Sequence, residues 1–168
     1  MTPMAPTRPI RPPNPITIAA ATGLSAANGT GVRVSRVVRL ASRLSAVAAA
    51  RAEVEAAIRA WCVAVDPDVA ILLTSELVTN AVTHGTLTTG TFVILTVGCD
   101  AAGLRVDVHD GSSDLPVVDA ASAEAETGRG LLLVTSLSAE WGFYRTSAGK
   151  AVYFTLDFTR DSSETAPD

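Results

Sequence analysis

The first half of the chain has apolar residues at helical spacing. Residues 45–65 are rich in alanine, and Val54, Ile58 and Trp61 recur at intervals of three or four. This spacing places them on one face of an α-helix. The preceding residues 32–40 are rich in valine and alternate in part. They indicate a strand, although the start of a helix fits the same pattern.

A second helix is predicted between Asp66 and Gly85. Pro67 suits the first turn of a helix, and a glycine commonly follows the last turn. Four residues are expected to form its apolar face: Ile71, Leu72, Val78 and Val82. Three polar residues recur every four positions and therefore lie along one side of the helix: Glu76, Asn80 and His84.

This polar row has two interpretations. It is either the solvated side of an amphipathic helix or one wall of a polar pocket. In a pocket, Glu76 could act as a base, and Asn80 offers an oxygen to a hard cation such as Mg2+. His84 is interpreted as a structural residue at the helix end.

The second half of the chain changes to the two-residue period of β-strands. One hairpin is predicted from residues 91–99 and 104–110, and another from residues 140–146 and 150–159. In residues 104–110, alternation predicts a buried face and a wet face. The buried face would carry Leu104, Val106 and Val108, and the wet face Arg105, Asp107 and His109.

The two hairpins are separated by residues 111–128, which are polar and show no clear period. Such a long connection is typical of a functional lid. Residues 130–137 predict a short helix with Leu131, Leu132, Val134 and Leu137 in the core. Helices between antiparallel hairpins predict an α/β (α+β) fold, a two-layer sandwich with helices on one face of a mostly antiparallel sheet.

Composition and charge argue against two classes of function, direct nucleic-acid binding and a membrane-spanning role. The chain has 168 residues and a net charge of −4, and it lacks the basic block that direct nucleic-acid binding requires. No apolar run is long enough to span a membrane. Cys62 and Cys99 are expected to be free, buried thiols. The 13 cations comprise twelve arginines and one lysine, a bias attributed to the source genome.

The chain is divided into a domain and two tails. Residues 1–30 contain many prolines and are predicted to be a disordered tail, although an apolar run after Arg11 loosely imitates a secretion signal. Residues 31–160 are expected to form one domain, and residues 161–168 a frayed end. A cytoplasmic location is the favoured expectation.

Two further motifs suggest nucleotide chemistry. Asp110 and Gly111 place a carboxylate and a turn at the end of a strand, where the carboxylate can accept a hydrogen bond from an amine of a base. Gly128, Arg129, Gly130 and Leu131 precede or begin a helix. Glycines there let backbone N–H groups approach a phosphate, which the helix dipole also favours. Each motif alone is also typical of an ordinary turn.

In this order, the motifs resemble the nucleotide site of the histidine-kinase-like ATPases, and most closely that of the anti-sigma-factor serine/threonine kinases. Residues 75–84 resemble the N box of that family, residues 108–111 the G1 box and residues 127–134 the G2 box. The closing hairpin, with Trp141-Gly142 and residues 149–154, is similar as well. The resemblance covers residues 32–158 and implies the Bergerat-type fold.

The resemblance also implies roles. Glu76 would be the general base toward a serine or threonine hydroxyl, and Asn80 would hold Mg2+ at the phosphates of ATP. Asp110 would bind the adenine amine. The phosphate region would be lined by Gly128, Arg129, Gly130 and Leu131, and residues 111–127 would form the ATP lid. Few groups are needed, because phosphoryl transfer depends mainly on positioning and charge neutralisation.

The chain departs from the family pattern at two places. Ser112 and Asp114 stand where further glycines usually follow the G1 aspartate, and Asp114 would either weaken ATP binding or point outward to a partner. Lys150-Ala151 stand where a threonine often helps to hold adenine. Lys150 is interpreted as a solvated turn residue, with a phosphate contact as the alternative.

The implied function is an ATP-binding anti-sigma-factor-type serine/threonine kinase. It would regulate transcription by partner switching: it would bind a sigma factor or an anti-sigma factor antagonist, and phosphorylate the antagonist. Relatives of this kind commonly form homodimers. The alternative is a binding module with the same fold, weak or inactive in catalysis, that sequesters a regulatory partner.

Overall fold

The computed structural model describes residues 34–85, 92–114, 116 and 129–159. In this part of the chain, five strands form one antiparallel sheet and three helices pack on it. The strands are β1 Val34–Ala41, β2 Phe92–Asp100, β3 Gly103–Asp110, β4 Glu140–Thr146 and β5 Gly149–Leu156. The helices are α1 Ser45–Trp61, α2 Pro67–His84 and α3 Arg129–Leu137. The predicted α+β fold is therefore confirmed, and the tails predicted at 1–30 and 161–168 lie outside the described residues.

The strand order across the sheet is β1-β2-β3-β5-β4. Both predicted hairpins are present, β2 with β3 and β4 with β5. The last strand, β5, lies between β3 and β4 and pairs antiparallel with each. Its register with β3 places Lys150 opposite Asp110, and this cross-strand pair shapes the candidate site.

The core lies between the helices and one face of the sheet. From the sheet, Leu95, Val106 and Phe154 are fully buried, and from the helices Val54 and Leu73 are fully buried. Burial of such apolar area is the main favourable term in folding. Trp61 and Trp141 pack against this core and are partly buried.

The ends of α2 follow the predicted signals. Asp66 Oδ1 accepts hydrogen bonds from the backbone N–H of Asp68 at 2.9 Å and of Val69 at 3.3 Å, and Pro67 begins the helix. Gly85 caps the other end in an extended conformation with φ of −63°. Close packing rather than a left-handed conformation favours glycine there, since a Cβ would clash with the Ala81 carbonyl oxygen.

Two predicted core residues are exposed instead. Leu72 is 39% exposed because the buried side of α2 carries its neighbour Leu73 and Leu77. Leu137 is 42% exposed and is the last residue of α3, where the apolar pattern reaches the end of the element that could bury it.

The prediction of buried cysteines is wrong for Cys62. The thiols of Cys62 and Cys99 are free, but Cys62 is exposed. It ends α1 with a left-handed φ of 53°, which turns the chain out of the helix four residues before the predicted end. Cys99 is half-buried, and burial, assisted by Asp100, raises the pKa of its thiol.

The sheet face expected to be wet is also partly buried. Arg105 forms two hydrogen bonds with Asp107, at 2.9 and 2.8 Å, and Asp107 is only 6% exposed. The Tyr144 hydroxyl donates to Asp107 Oδ1 at 3.1 Å, and the Arg105 guanidinium lies 3.7 Å from the centre of the Tyr153 ring. Side chains of β4 and β5 therefore cover the polar row of β3. Among the described helices, none is long and apolar enough to cross a membrane.

Candidate nucleotide site

Glu76 and Gly130 meet where α2 packs against α3. A Cβ placed on Gly130 would lie 2.5 Å from Glu76 Oε2 and 3.4 Å from Glu76 Cβ. Glycine therefore makes room for this carboxylate beside the first turn of α3. The contact joins the candidate base to the glycine motif that the sequence placed at a helix start.

The polar row on α2 continues from Glu76 to Asn80. Both residues are half-buried, whereas His84 at the end of the helix is exposed. An exposed position is consistent with the interpretation of His84 as a helix-end residue. Glu76 and Asn80 are one turn apart, so a carboxylate and an amide lie along the same side of α2.

The C-terminal end of α2 reaches Asp110. A Cβ placed on Gly85 would lie 3.7 Å from Asp110 Cβ. One helix therefore contacts α3 through Glu76 and the end of β3 through Gly85, with Asn80 between these contacts in the sequence. The structure thus brings Glu76 and Gly130 together and places Asp110 against the C-terminal end of the same helix.

Asp110 forms a buried ion pair with Lys150. Lys150 Nζ donates to Asp110 Oδ1 at 3.1 Å; Lys150 is 7% exposed and Asp110 8%. The backbone N–H of Ser112 donates to the same oxygen at 2.8 Å. Asp110 Oδ2 takes part in neither of these two hydrogen bonds.

The interpretation of Lys150 as a solvated turn residue is therefore wrong. The turn before it packs tightly on the end of β3, where Gly149 has a φ of +153° and a Cβ on it would lie 2.8 Å from Gly111 Cα. This close approach holds Lys150 on the inner side of the sheet, in the row of Val152 and Phe154. The sequence offered one signal for it, since Lys150 is the single lysine among 13 cations.

The segment after Asp110 begins with a compact turn. Ser112 is 4% exposed, and its hydroxyl accepts a hydrogen bond from the backbone N–H of Asp114 at 3.0 Å. Asp114 itself is exposed, which fits the outward orientation considered from the sequence. Most of the predicted lid, residues 111–127, lies outside the described residues, of which only 111–114 and 116 belong to it.

The G2 motif is described only from Arg129 onward, so Gly128 lies outside the described residues. Arg129 is exposed and begins α3. Leu131 is 5% exposed and belongs to the core. Its side chain therefore anchors α3, and its backbone N–H is the group that could face a phosphate.

His109 neighbours the site but faces the other side of the sheet. It is half-buried, and its ring meets the Tyr144 ring edge-on, with centroids 6.0 Å apart. Burial lowers the pKa of His109; nearby Asp107 and Asp110 oppose this shift, and Arg105 adds to it. The sequence placed His109 on the wet face of the strand, and the structure keeps it on that face but half-buries it beside Tyr144.

The chain belongs to the histidine kinase-like ATPase domain family. The family profile matches residues 38–156, which is more than two thirds of the 168 residues. The match runs from β1 to the end of β5 and so includes the elements that carry Glu76, Asn80, Asp110 and Gly130. A comparison with curated proteins found no match.

The donor set fits ATP with Mg2+. Protein sites usually hold this cation through one or two oxygen ligands, together with phosphates and water, and Asn80 can supply such a ligand. No group of three or more His, Cys, Asp or Glu side chains among the described residues could hold a metal ion by itself. The start of α3 offers backbone N–H groups and a helix dipole to phosphates, and Asp110 offers a carboxylate to a base.

Proposed function

We propose that this chain is an ATP-binding, cytoplasmic serine/threonine protein kinase of the anti-sigma-factor type. It transfers a phosphoryl group to an anti-sigma factor antagonist and regulates transcription by partner switching. The contact between Glu76 and Gly130 supports this proposal, because it places a half-buried carboxylate beside the helix start that would receive phosphates. A general base must lie within reach of the hydroxyl proton that it accepts.

Each residue then has a physical task. Glu76 accepts the proton of the acceptor serine or threonine hydroxyl. Asn80 supplies the protein oxygen for Mg2+, and ATP, when bound, supplies the γ-phosphoryl group. Asp110 accepts a hydrogen bond from the adenine amine. Gly130 and Leu131 present backbone N–H groups to the phosphates, and Arg129 adds positive charge.

One observation favours a second candidate, a catalytically inactive module that sequesters its partner. Asp110 is already neutralised by Lys150, and Oδ1 accepts two hydrogen bonds. Nucleotide binding at such a site would have to keep or rearrange this pair. In this alternative, the chain binds a sigma factor or its antagonist without transferring phosphate.

The first test is calorimetric titration of ATP, with and without Mg2+, into the wild type and Asn80→Ala. The proposal expects Mg2+-dependent binding by the wild type and its loss in the variant. A folded wild type that binds no ATP up to about millimolar, weaker than about −4 kcal/mol, contradicts it.

The second test separates the kinase from the binding module. Glu76→Ala is compared with the wild type for transfer of labelled γ-phosphate to a purified anti-sigma factor antagonist. If the chain is a kinase, Glu76→Ala should lower the rate of phosphate transfer by about 10²-fold or more and still bind the antagonist. Antagonist binding without any transfer by the wild type supports the module, and light scattering shows whether either form is a homodimer.

A further inference from the structure

The Lys150–Asp110 pair occupies a place where stability alone does not require charges. The next cross-strand pair inward is Val108 with Val152, and both valines are buried. Replacing a buried ion pair by well-packed apolar residues is often neutral or stabilising. Asp110 of this pair ends β3, and its Cβ is 3.7 Å from a Cβ placed on Gly85 at the end of α2. A charged pair kept at this end of the candidate site suggests contact with a ligand.

Position 150 carries the single lysine of this chain. The twelve other cations are arginine, so the composition bias does not explain Lys150. Lysine carries a compact charge with three donors on a flexible stem, whereas arginine carries a broad planar fork. One ammonium proton is donated to Asp110 Oδ1, and the ammonium has two more protons.

We infer that Lys150 is a base-reading residue that selects adenine together with Asp110. The Watson–Crick edge of adenine presents an amine that donates, and beside it the ring nitrogen N1 that accepts. Asp110 would accept from the amine through Oδ2, while Lys150 would donate to N1 and stay paired with Oδ1. The inference rests on the proposed function, because it assumes that ATP binds at this site.

A binding cycle tests this role. ATP and its 1-deaza analogue, which lacks the N1 acceptor, are titrated into the wild type and Lys150→Met. The inference expects the wild type to bind the analogue about tenfold or more weakly than ATP, the size of a hydrogen bond to a charged group. Lys150→Met should bind the two nucleotides with equal affinity, because it has no donor to lose.

A second variant guards against misfolding. Lys150→Met leaves Asp110 buried without its cation, so circular dichroism and a thermal melt must show that the variant folds. If it does not, Lys150→Gln replaces it, since the amide keeps a neutral donor. The glutamine variant should retain only part of the preference for ATP over the 1-deaza analogue.

The single lysine also gives a direct signal. Protein labelled with 15N-lysine has one lysine side chain, so any side-chain ammonium resonance reports on Lys150. We expect ATP to shift this resonance strongly, and the 1-deaza analogue to shift it less. This readout does not depend on catalytic activity.

Several outcomes would overturn the inference. Equal wild-type affinity for ATP and the analogue excludes a contact with N1. If Lys150→Met weakens the binding of ATP and of the 1-deaza analogue by the same factor, Lys150 acts only by holding Asp110. Tighter binding of GTP than of ATP excludes selection of adenine. If the wild type binds no ATP at all, the proposed function itself fails, and the role of Lys150 fails with it.

Discussion

Glu76 Oε2 lies so close to the α-carbon of Gly130 that a Cβ on the glycine would be only 2.5 Å away. Gly130→Ala should therefore displace the carboxylate while leaving the fold intact, because the end of a glutamate side chain can move. Alanine also favours a helix by up to about 1 kcal/mol over glycine. We expect an unchanged or slightly higher melting temperature and a loss of phosphotransfer of about 10²-fold, the effect of a small misplacement.

The matched control is Gly98→Ala. A Cβ on Gly98, in β2, would meet only the Val34 carbonyl oxygen at 3.7 Å, an ordinary contact with β1. Phosphotransfer by this variant should match that of the wild type. An active Gly130→Ala protein would show that the position of Glu76 does not limit the reaction.

The hydroxyl of Tyr144 should stabilise the sheet through Asp107. Burial and the Asp107 carboxylate raise the pKa of Tyr144, so the phenol remains a donor at neutral pH. Tyr144→Phe removes one hydrogen bond to a buried carboxylate, and we expect a loss of about 1 to 2 kcal/mol in the free energy of unfolding. Urea denaturation measures this value.

Tyr153→Phe is the comparison for that experiment. The Tyr153 hydroxyl donates to Glu140 Oε1 at 2.9 Å, but Glu140 is exposed, so water can replace the lost donor. The loss in the free energy of unfolding should be smaller for Tyr153→Phe than for Tyr144→Phe. A larger loss would mean that burial of Asp107 does not set the strength of this network.

His109 should make the fold sensitive to mild acid. Burial lowers the pKa of His109 below its ordinary 6.5, so the unfolded chain binds a proton at a higher pH than the folded protein does. The stabilisation due to neutral His109 is therefore fully present above about pH 6.5, and the free energy of unfolding falls as the pH drops below that value. For this one group, the slope is at most about 1.4 kcal/mol per pH unit.

The measurement compares urea denaturation of the wild type and His109→Gln between pH 7.5 and pH 5, a range chosen around that value. The variant cannot take up this proton, so it should lose less stability on acidification. If the free energy of unfolding falls equally with pH in the two proteins, the prediction is contradicted. Differences at pH 7.5 alone would report only the altered packing against Tyr144.

The start of α2 can be tested through its cap. Asp66→Ala removes the acceptor for two backbone N–H groups and should cost about 1 kcal/mol of unfolding free energy. Asp66→Asn keeps an oxygen at the same position and should cost less, and the difference between the variants isolates the hydrogen bonds. Equal losses would indicate that the negative charge near the helix start matters more than the cap.

Local patterns determined much of this protein. The sequence correctly predicted three features that depend on neighbours in the chain: the row of Glu76 and Asn80, the start of α2 at Asp66, and the buried face of β3. The same applies to the start of α3 at Arg129 and Gly130. The opposite face of β3 was expected to be wet, and there the prediction was wrong for Asp107. Local patterns could not decide how far burial extends, which is why Leu72 and Leu137 were wrongly assigned to buried faces.

Only the tertiary structure decided which distant residues meet. The insertion of β5 between β3 and β4 places Lys150 against Asp110 and covers Asp107 with Tyr144. The contact between Glu76 and Gly130 likewise depends on the packing of α2 against α3. Strand order and register join residues far apart in the chain, and no periodicity within a single element specifies them. The sequence by itself therefore determined the elements and the chemical groups of the candidate site, and the packing of those elements decided how the groups are paired.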